Sequence, residues 1–248
     1  MSDLMRLQRY ISQSGRASRR EAERMILAGR VAVNGAVVTK MGVRIDPSSD
    51  QVSVDGELIR SSPVRWVAFH KPAGVLTTRT DPHGGVTIYD MLPSQLSKLR
   101  YVGRLDRDAE GLLLLTNDGQ LSNDLAHPKG EVEREYWLQV VGTLELATIN
   151  RLTSGVELDD GFARAVRARL IDSDKVSSRL TLVVTEGRKR EVRRLLSAVG
   201  HPVMRLRRIR YGPLVLGSLQ KGAWRDLDAD EVAALASAPS RRPGSKSQ

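Results

Sequence analysis

Residues 103–119 read GRLDRDAEGLLLLTNDG. Arg104, Asp106, Arg107, Asp108 and Glu110 put five charges into seven positions, and four leucines follow at 112–115. The leucine run, closed by Thr116 and the turn-forming Asn117, Asp118 and Gly119, reads as a buried strand. Charges crowded against a core strand suit either a surface turn or a carboxylate held at the floor of a cleft with the strand as its backing. D-R-D-A-E-G, from Asp106 to Gly111, imitates half of a calcium loop. The twelfth position of such a loop requires a bidentate glutamate and holds Asn117 instead, and LLLLT is strand-like where a helix should leave. No G-x-S-x-G elbow and no G-x-x-x-x-G-K-[ST] phosphate loop occurs. An aspartate beside arginines, as nucleophile or acid/base, is left as the strongest chemical candidate.

Working outward, WVAF (66–69), YWLQVVG (136–142) and RLTLVVT (179–185) are further strand-like runs separated by Gly, Asp and Pro turns. They predict an α+β domain over 61–238 with a mixed, largely antiparallel sheet. In KREVRRLLSAVG (189–200), Val192, Leu195, Leu196 and Val199 form a helical apolar face, and Gly200 can end it. Lys189, Arg190, Arg193 and Arg194 occupy the remainder and are expected to face RNA.

Residues 1–60 read as a small separate module. Leu4, Leu7, Tyr10 and Ile11 make a helical stripe closed by Gly15. Ser18 and Glu21 have capping-box spacing for a second helix that continues through Ala22, Met25 and Ile26 to Gly29. VAVNGAVV then alternates around Asn34-Gly35, a strong hairpin signal. Arg16, Arg19, Arg20, Arg24 and Arg30 lie on the solvent side of this unit. Only Glu21 and Glu23 are close enough in sequence to neutralise them, which favours a phosphate-binding face. ELIRSSPV (57–64) is polar and contains a proline, as a linker would, and PSRRPGSKSQ (239–248) is expected to be a disordered tail.

Composition narrows the classes. The 248 residues hold no cysteine and four histidines, so disulfides and thiolate metal sites are excluded and a zinc enzyme is disfavoured. No metal or other cofactor is expected. No apolar stretch is long enough to span a bilayer, and MSDLMRLQRY lacks the apolar core of a secretion signal, so the cytoplasm is the expected compartment. A net charge of +10 suits a polyanionic partner. The charge is clustered: residues 1–45 carry nine basic against three acidic groups, and residues 186–210 nine against two.

RLQRYISQSGRASRREAERMILAGRVAVNG resembles the S4 RNA-binding module, a helical-hairpin (αL-type) fold, over residues 5–56. GRLD followed by GLLLLTNDG resembles the signature of the bacterial ribosomal RNA pseudouridine synthases, specifically their RsuA/RluB branch. Four more segments match that family in order: FHKPAGVLTT (69–78), EVEREYWLQVVG (131–142), EGRKREVRRLL (186–196) and RLRRIRYGPLVLG (205–217). The resemblance implies isomerisation of a specific uridine of ribosomal RNA to pseudouridine, with 23S favoured over 16S, on ribosomal RNA or an assembly intermediate; nothing in the sequence requires more than a monomer. It implies Asp106 as the nucleophile that lets the base detach, turn and rejoin through carbon. Tyr136 would pack on the flipped base, Arg188 would pair with the aspartate, and Arg104 would hold the opened RNA. Ala109 departs from the Thr or Ser usual at that position, and Gly85 stands where a more basic residue is expected. A non-catalytic ribosome-assembly factor with the same fold is the rival reading.

These roles are physically coherent. Extruding a uridine costs a few kcal/mol, and stacking on an aromatic side chain returns about 1–3 kcal/mol. A carboxylate is a usable nucleophile only while ionised, and a neighbouring guanidinium opposes the effect of excluding water. The isomerisation transfers nothing to a second molecule and needs no cofactor.

Overall fold

The computed structural model describes residues 4–240 in two compact units. The first runs to Val64 and takes in Asn117–Gly119; the second comprises the rest from Arg65. In the first, α1 (Leu7–Gln13) and α2 (Arg19–Leu27) pack Leu7, Ile11, Ala22 and Ile26 against a small sheet. Ser18 caps α2 by accepting from the Glu21 N–H. The sheet begins with the expected hairpin, β1 (Val31–Val33) and β2 (Ala36–Val37), whose turn residues Asn34 and Gly35 both have positive φ (51° and 81°).

The segment read as a linker is shorter than expected. Residues Glu57–Ile59 are a strand, β4, paired with β3 (Val52–Val54) across an Asp55-Gly56 turn with φ of 54° and 83°. This is the same Asx-Gly hairpin chemistry as at Asn34. It carries two carboxylates to the arginines. Arg30 makes a bidentate pair with Asp55 (2.7 and 2.7 Å), and Arg16 lies 3.2 Å from Glu57. Arg24 pairs with Glu21 at 2.7 Å. Arg16, Arg24 and Arg30 are thus neutralised within their own unit, while Arg20 is exposed and Arg19 half-buried.

The second unit is α+β. Its main sheet is ordered β10–β11–β7–β12–β6–β5–β13, where β5 is Trp66–Lys71, β6 Glu110–Thr116, β7 Arg134–Val141, β10 Arg167–Ser173, β11 Ser177–Val184, β12 Val203–Tyr211 and β13 Trp224–Asp226. Only β12 and β6 run parallel along this path. A short hairpin, β8 (Val156–Leu158) with β9 (Gly161–Ala163), stands apart from the sheet. The core cluster on one face holds Phe69, Leu113, Leu115, Tyr136 and Leu138 with α4 (Leu146–Ser154) and α5 (Glu191–Ala198). The cluster holding Leu112, Leu114 and Tyr211 includes residues of α3 (Gly119–Ala126) and α6 (Ala229–Ser237). The leucine run is fully buried and feeds both clusters alternately, as a central strand must. α6 is begun by a capping box between Asp228 and Glu231 that the strand-dominated reading of this domain passed over. Of the expected tail, Pro239 and Ser240 close a 3₁₀ turn with Ala238, and residues 241–248 lie outside the described residues.

Register builds the site. Lys71 pairs with Gly111, Gly111 with Arg208, Arg208 with Tyr136 and Tyr136 with Leu182, one continuous row across five strands. Gly111 has φ +116°, and a Cβ there would collide with the Arg208 backbone, so only glycine lets β6 and β12 approach.

Candidate active site

The loop leading into β6 crosses directly over Lys71. This lysine is wholly buried, and its ammonium donates to the carbonyls of Ala109 (2.7 Å), Pro72 (3.0 Å), Asp106 (3.1 Å) and Arg107 (3.4 Å). Burial pushes its pKa down to about 8, although the charges of Asp106 and Asp108 pull the other way. From the opposite side the Thr77 hydroxyl donates to Leu105 O (2.8 Å) and accepts from Leu105 N–H (3.4 Å). Ala109 closes the turn with its N–H on Asp106 O, and its methyl group sits in the core, 1% exposed. At Gly85 an added Cβ would press on Asp81 and Leu76, so the fold favours glycine there.

Asp106 thereby lines an open cleft of about 540 Å³, together with Arg104, Tyr136, Arg188, Lys189 and Arg190. Its carboxylate is about one-third exposed (35%), and the paired cation is Arg190, at 4.0 Å. Tyr136, 9% exposed, projects from β7 into the same cleft with its ring in the core cluster. Arg104 and Lys189 are exposed at the rim.

Arg188, expected to pair with Asp106, is engaged elsewhere. It donates to Glu186 (2.6 Å) and to the carbonyls of Asp160 (3.3 Å), Gly161 (3.1 Å) and Phe162 (2.8 Å), clamping the β8–β9 hairpin to the cleft wall. The cause is local. Arg190 adopts a left-handed conformation (φ 52°, ψ 31°) at the start of α5, and Arg188 and Arg190 reach different partners on either side of this turn. A non-glycine residue in this region carries about 1–2 kcal/mol of strain, of the kind that collects at functional sites. Arg190 instead meets Asp108 at 3.2 and 3.4 Å, and Arg193 meets the same carboxylate at 3.0 Å. Burial raises the Asp108 carboxyl, but the Arg190 hydrogen bond and the charges of Arg193 and Arg190 outweigh it and hold the group below the usual range.

The expected basic face of α5 is therefore largely turned inward. The apolar side is buried as anticipated, through Val192, Leu195, Leu196 and Val199. Arg193 is 11% exposed and also donates to Val203 O, and Arg194 makes a bidentate pair with Asp160 (2.6 and 2.8 Å). Lys189 and Arg190 remain at the cleft surface. Two further guanidiniums were not singled out from sequence: Arg134 and Arg208, both buried, each 5.1 Å from the Tyr211 ring and both lining the cleft. A buried carboxyl, Glu191, stands at the first position of α5. Burial, reinforced by the charge of Glu186, lifts it to about 7, against the Arg188 N–H and the charges of Arg188 and Arg134.

A cleft with a fixed carboxylate at its floor and cations around its mouth suits a polyanion on which carboxylate chemistry is done, and comparison with known proteins defines the class as RNA-modifying isomerases. The chain matches the family described as RNA pseudouridylate synthase over residues 65–198 and the S4 domain over residues 5–52. It belongs to the RNA pseudouridylate synthase family. An RNA pseudouridine synthase of Aquifex aeolicus is 41% identical over 232 residues, 93% of either chain. The ribosomal large subunit pseudouridine synthase B of Vibrio cholerae is 40% identical over 245 residues, 96% of this chain and 76% of that protein. A crystal structure of a pseudouridylate synthase superposes with a TM-score of 0.65 at 30% identity, covering 93% of this chain and 99% of the other.

Proposed function

We propose that this pseudouridine synthase acts on ribosomal RNA, on the large-subunit (23S) molecule in preference to the small, with Asp106 as nucleophile. The observation that carries the catalytic assignment is the seat of Asp106: its loop is pinned by Lys71 from below and Thr77 from the side, facing Tyr136 across an open cleft. The large-subunit preference rests on relatives named for that substrate.

The target uridine leaves its stack and enters the cleft, its backbone held by Arg104 and Lys189, its ring against Tyr136. Asp106, 4.0 Å from Arg190, attacks the nucleotide. The C1′–N1 bond breaks, the base turns, and a C1′–C5 bond forms; C5 loses its proton, N1 gains one, and the bond made by Asp106 breaks again to free the carboxylate. No atom is gained or lost, so no cofactor enters the balance. Arg190 takes the place beside the nucleophile that the family resemblance implies for Arg188, whose own role is to set the hairpin wall. Arg193 acts through Asp108 as a positioning residue. Arg19 and Arg20 supply the phosphate contacts of the N-terminal unit. The protein acts as a monomer in the cytoplasm, where ribosomal RNA is assembled. Among the described residues no helix is long and apolar enough to cross a membrane.

Mapping pseudouridines in ribosomal RNA from cells with and without the gene tests the substrate. One 23S position is expected to revert to uridine; an unchanged 23S map with a lost 16S position would reverse the assignment.

A further inference from the structure

The row next to the catalytic one points out of the opposite side of the sheet, because alternate residues of a strand face opposite ways. It runs Glu110, Arg207, Trp137, Thr181 and Arg169 by register. Trp137 belongs to none of the three hydrophobic clusters. Its ring is instead covered by guanidiniums, Arg207 at 5.2 Å and Arg205 at 5.8 Å from the centroid. Glu110, buried at the end of the row, is shared by Lys221 (2.7 Å), Arg207 (3.0 Å) and Arg205 (3.7 Å). Three cations thus meet one carboxylate, and Lys221 and Arg205 are more than half exposed. Arg169, also exposed, adds a fourth cation at the far end of the row.

Stability does not demand this arrangement. A tryptophan serving only the fold would be packed on aliphatic neighbours, and a single glutamate needs one partner. Planar π groups interleaved with surplus positive charge on an open sheet face are what single-stranded RNA uses: bases stack on the aromatic and guanidinium planes while cations take the phosphates. The excess of cations favours a polyanion, and apart from Trp137 the row carries only charged and polar side chains.

We propose that this outward face, centred on Trp137, Arg205 and Arg207, is a second RNA-binding surface that takes an unpaired segment of the substrate RNA away from the target uridine. The inference rests on the RNA-substrate reading above and adds a contact outside the catalytic cleft. It makes recognition two-sided, so that a long folded RNA binds more tightly than a short hairpin carrying the same uridine.

The test compares the full chain with Arg205→Glu and Trp137→Ala on two protein-free RNAs, full-length ribosomal RNA and a short target hairpin. Both variants are expected to bind the long RNA at least tenfold more weakly and to convert the short hairpin at the unaltered rate. The charge reversal should also make the salt dependence shallower by about one unit per lost phosphate contact. Equal affinity and salt slope on the long RNA would overturn the proposal. So would a loss of equal size on both RNAs, which would mean a disturbed active site. A photoreactive residue at Gln139, opposite Arg205 in the sheet, is expected to cross-link the long RNA even if Trp137→Ala fails to fold, and no cross-link would count against the surface. The unsubstituted chain's turnover on the short hairpin reports separately on the functional assignment.

Discussion

The two flanks of Asp106 are held by different means. On one side Lys71 grips four backbone carbonyls from complete burial, fixing where the loop runs. On the other, the exposed Arg190 lies 4.0 Å from Asp106 and, with the nearly buried Arg193, holds the half-exposed Asp108 carboxylate. Backbone hydrogen bonds to a buried charge give position; screened ion pairs give field and can re-form when a phosphate arrives. On the proposed function, the comparison separates a rigid part of the site from a part that exchanges partners with RNA.

The sharpest way to break this contrast is at Lys71. Lys71→Met leaves four carbonyls without their donor and is expected to cost on the order of 3 kcal/mol. Thermal unfolding should show it as a clear drop in Tm together with lost turnover; a fully stable variant would mean that the loop does not rest on the ammonium. On the other flank, Arg190→Ala is expected to leave Tm nearly unchanged and to lower turnover at least tenfold. Arg188→Ala should do the reverse, loosening the hairpin with a smaller kinetic effect. If Arg188→Ala alone abolished turnover, the assignment of partners would be inverted.

A further prediction concerns pH. Glu191 has its folded pKa raised to about 7, above the unfolded value near 4.5, so the folded state holds a proton that the unfolded state has released between these limits. Its burial therefore costs nothing below pH 4.5, and the cost grows until pH exceeds 7. Glu191→Gln is expected to raise stability by roughly 1–2 kcal/mol at pH 8 and to leave it unchanged at pH 4, read from denaturant midpoints at the two values. The smallest effect is expected at the N-terminal unit. Arg20→Glu should weaken RNA binding a few-fold with no change in turnover at saturation.

Much of this was visible in the sequence because the determinants are local. Asn34-Gly35, Ser18 with Glu21 and the run of leucines at 112–115 each carry their conformation within a few residues, and the GRLD segment with its flanking motifs pointed to the family. What was missed depends on distance along the chain. Asp55 meets Arg30 across 25 positions, and Arg190 meets Asp108 across 82. A count of neighbouring carboxylates could not foresee either. The left-handed turn at Arg190, which sends Arg188 to the hairpin, has no sequence mark, since non-glycine residues there are set by tertiary context. The Asp55-Gly56 hairpin and the Asp228–Glu231 capping box did carry local signals.

Replacing the Asp106 carboxylate by an amide of the same shape is the most direct trial of the catalytic account. Asp106→Asn keeps the Lys71 and Thr77 contacts, which run to backbone atoms, and should fold and bind ribosomal RNA like the unsubstituted chain while forming no pseudouridine. Pseudouridine accumulating at the normal rate in that variant would show that the carboxylate does not perform the reaction.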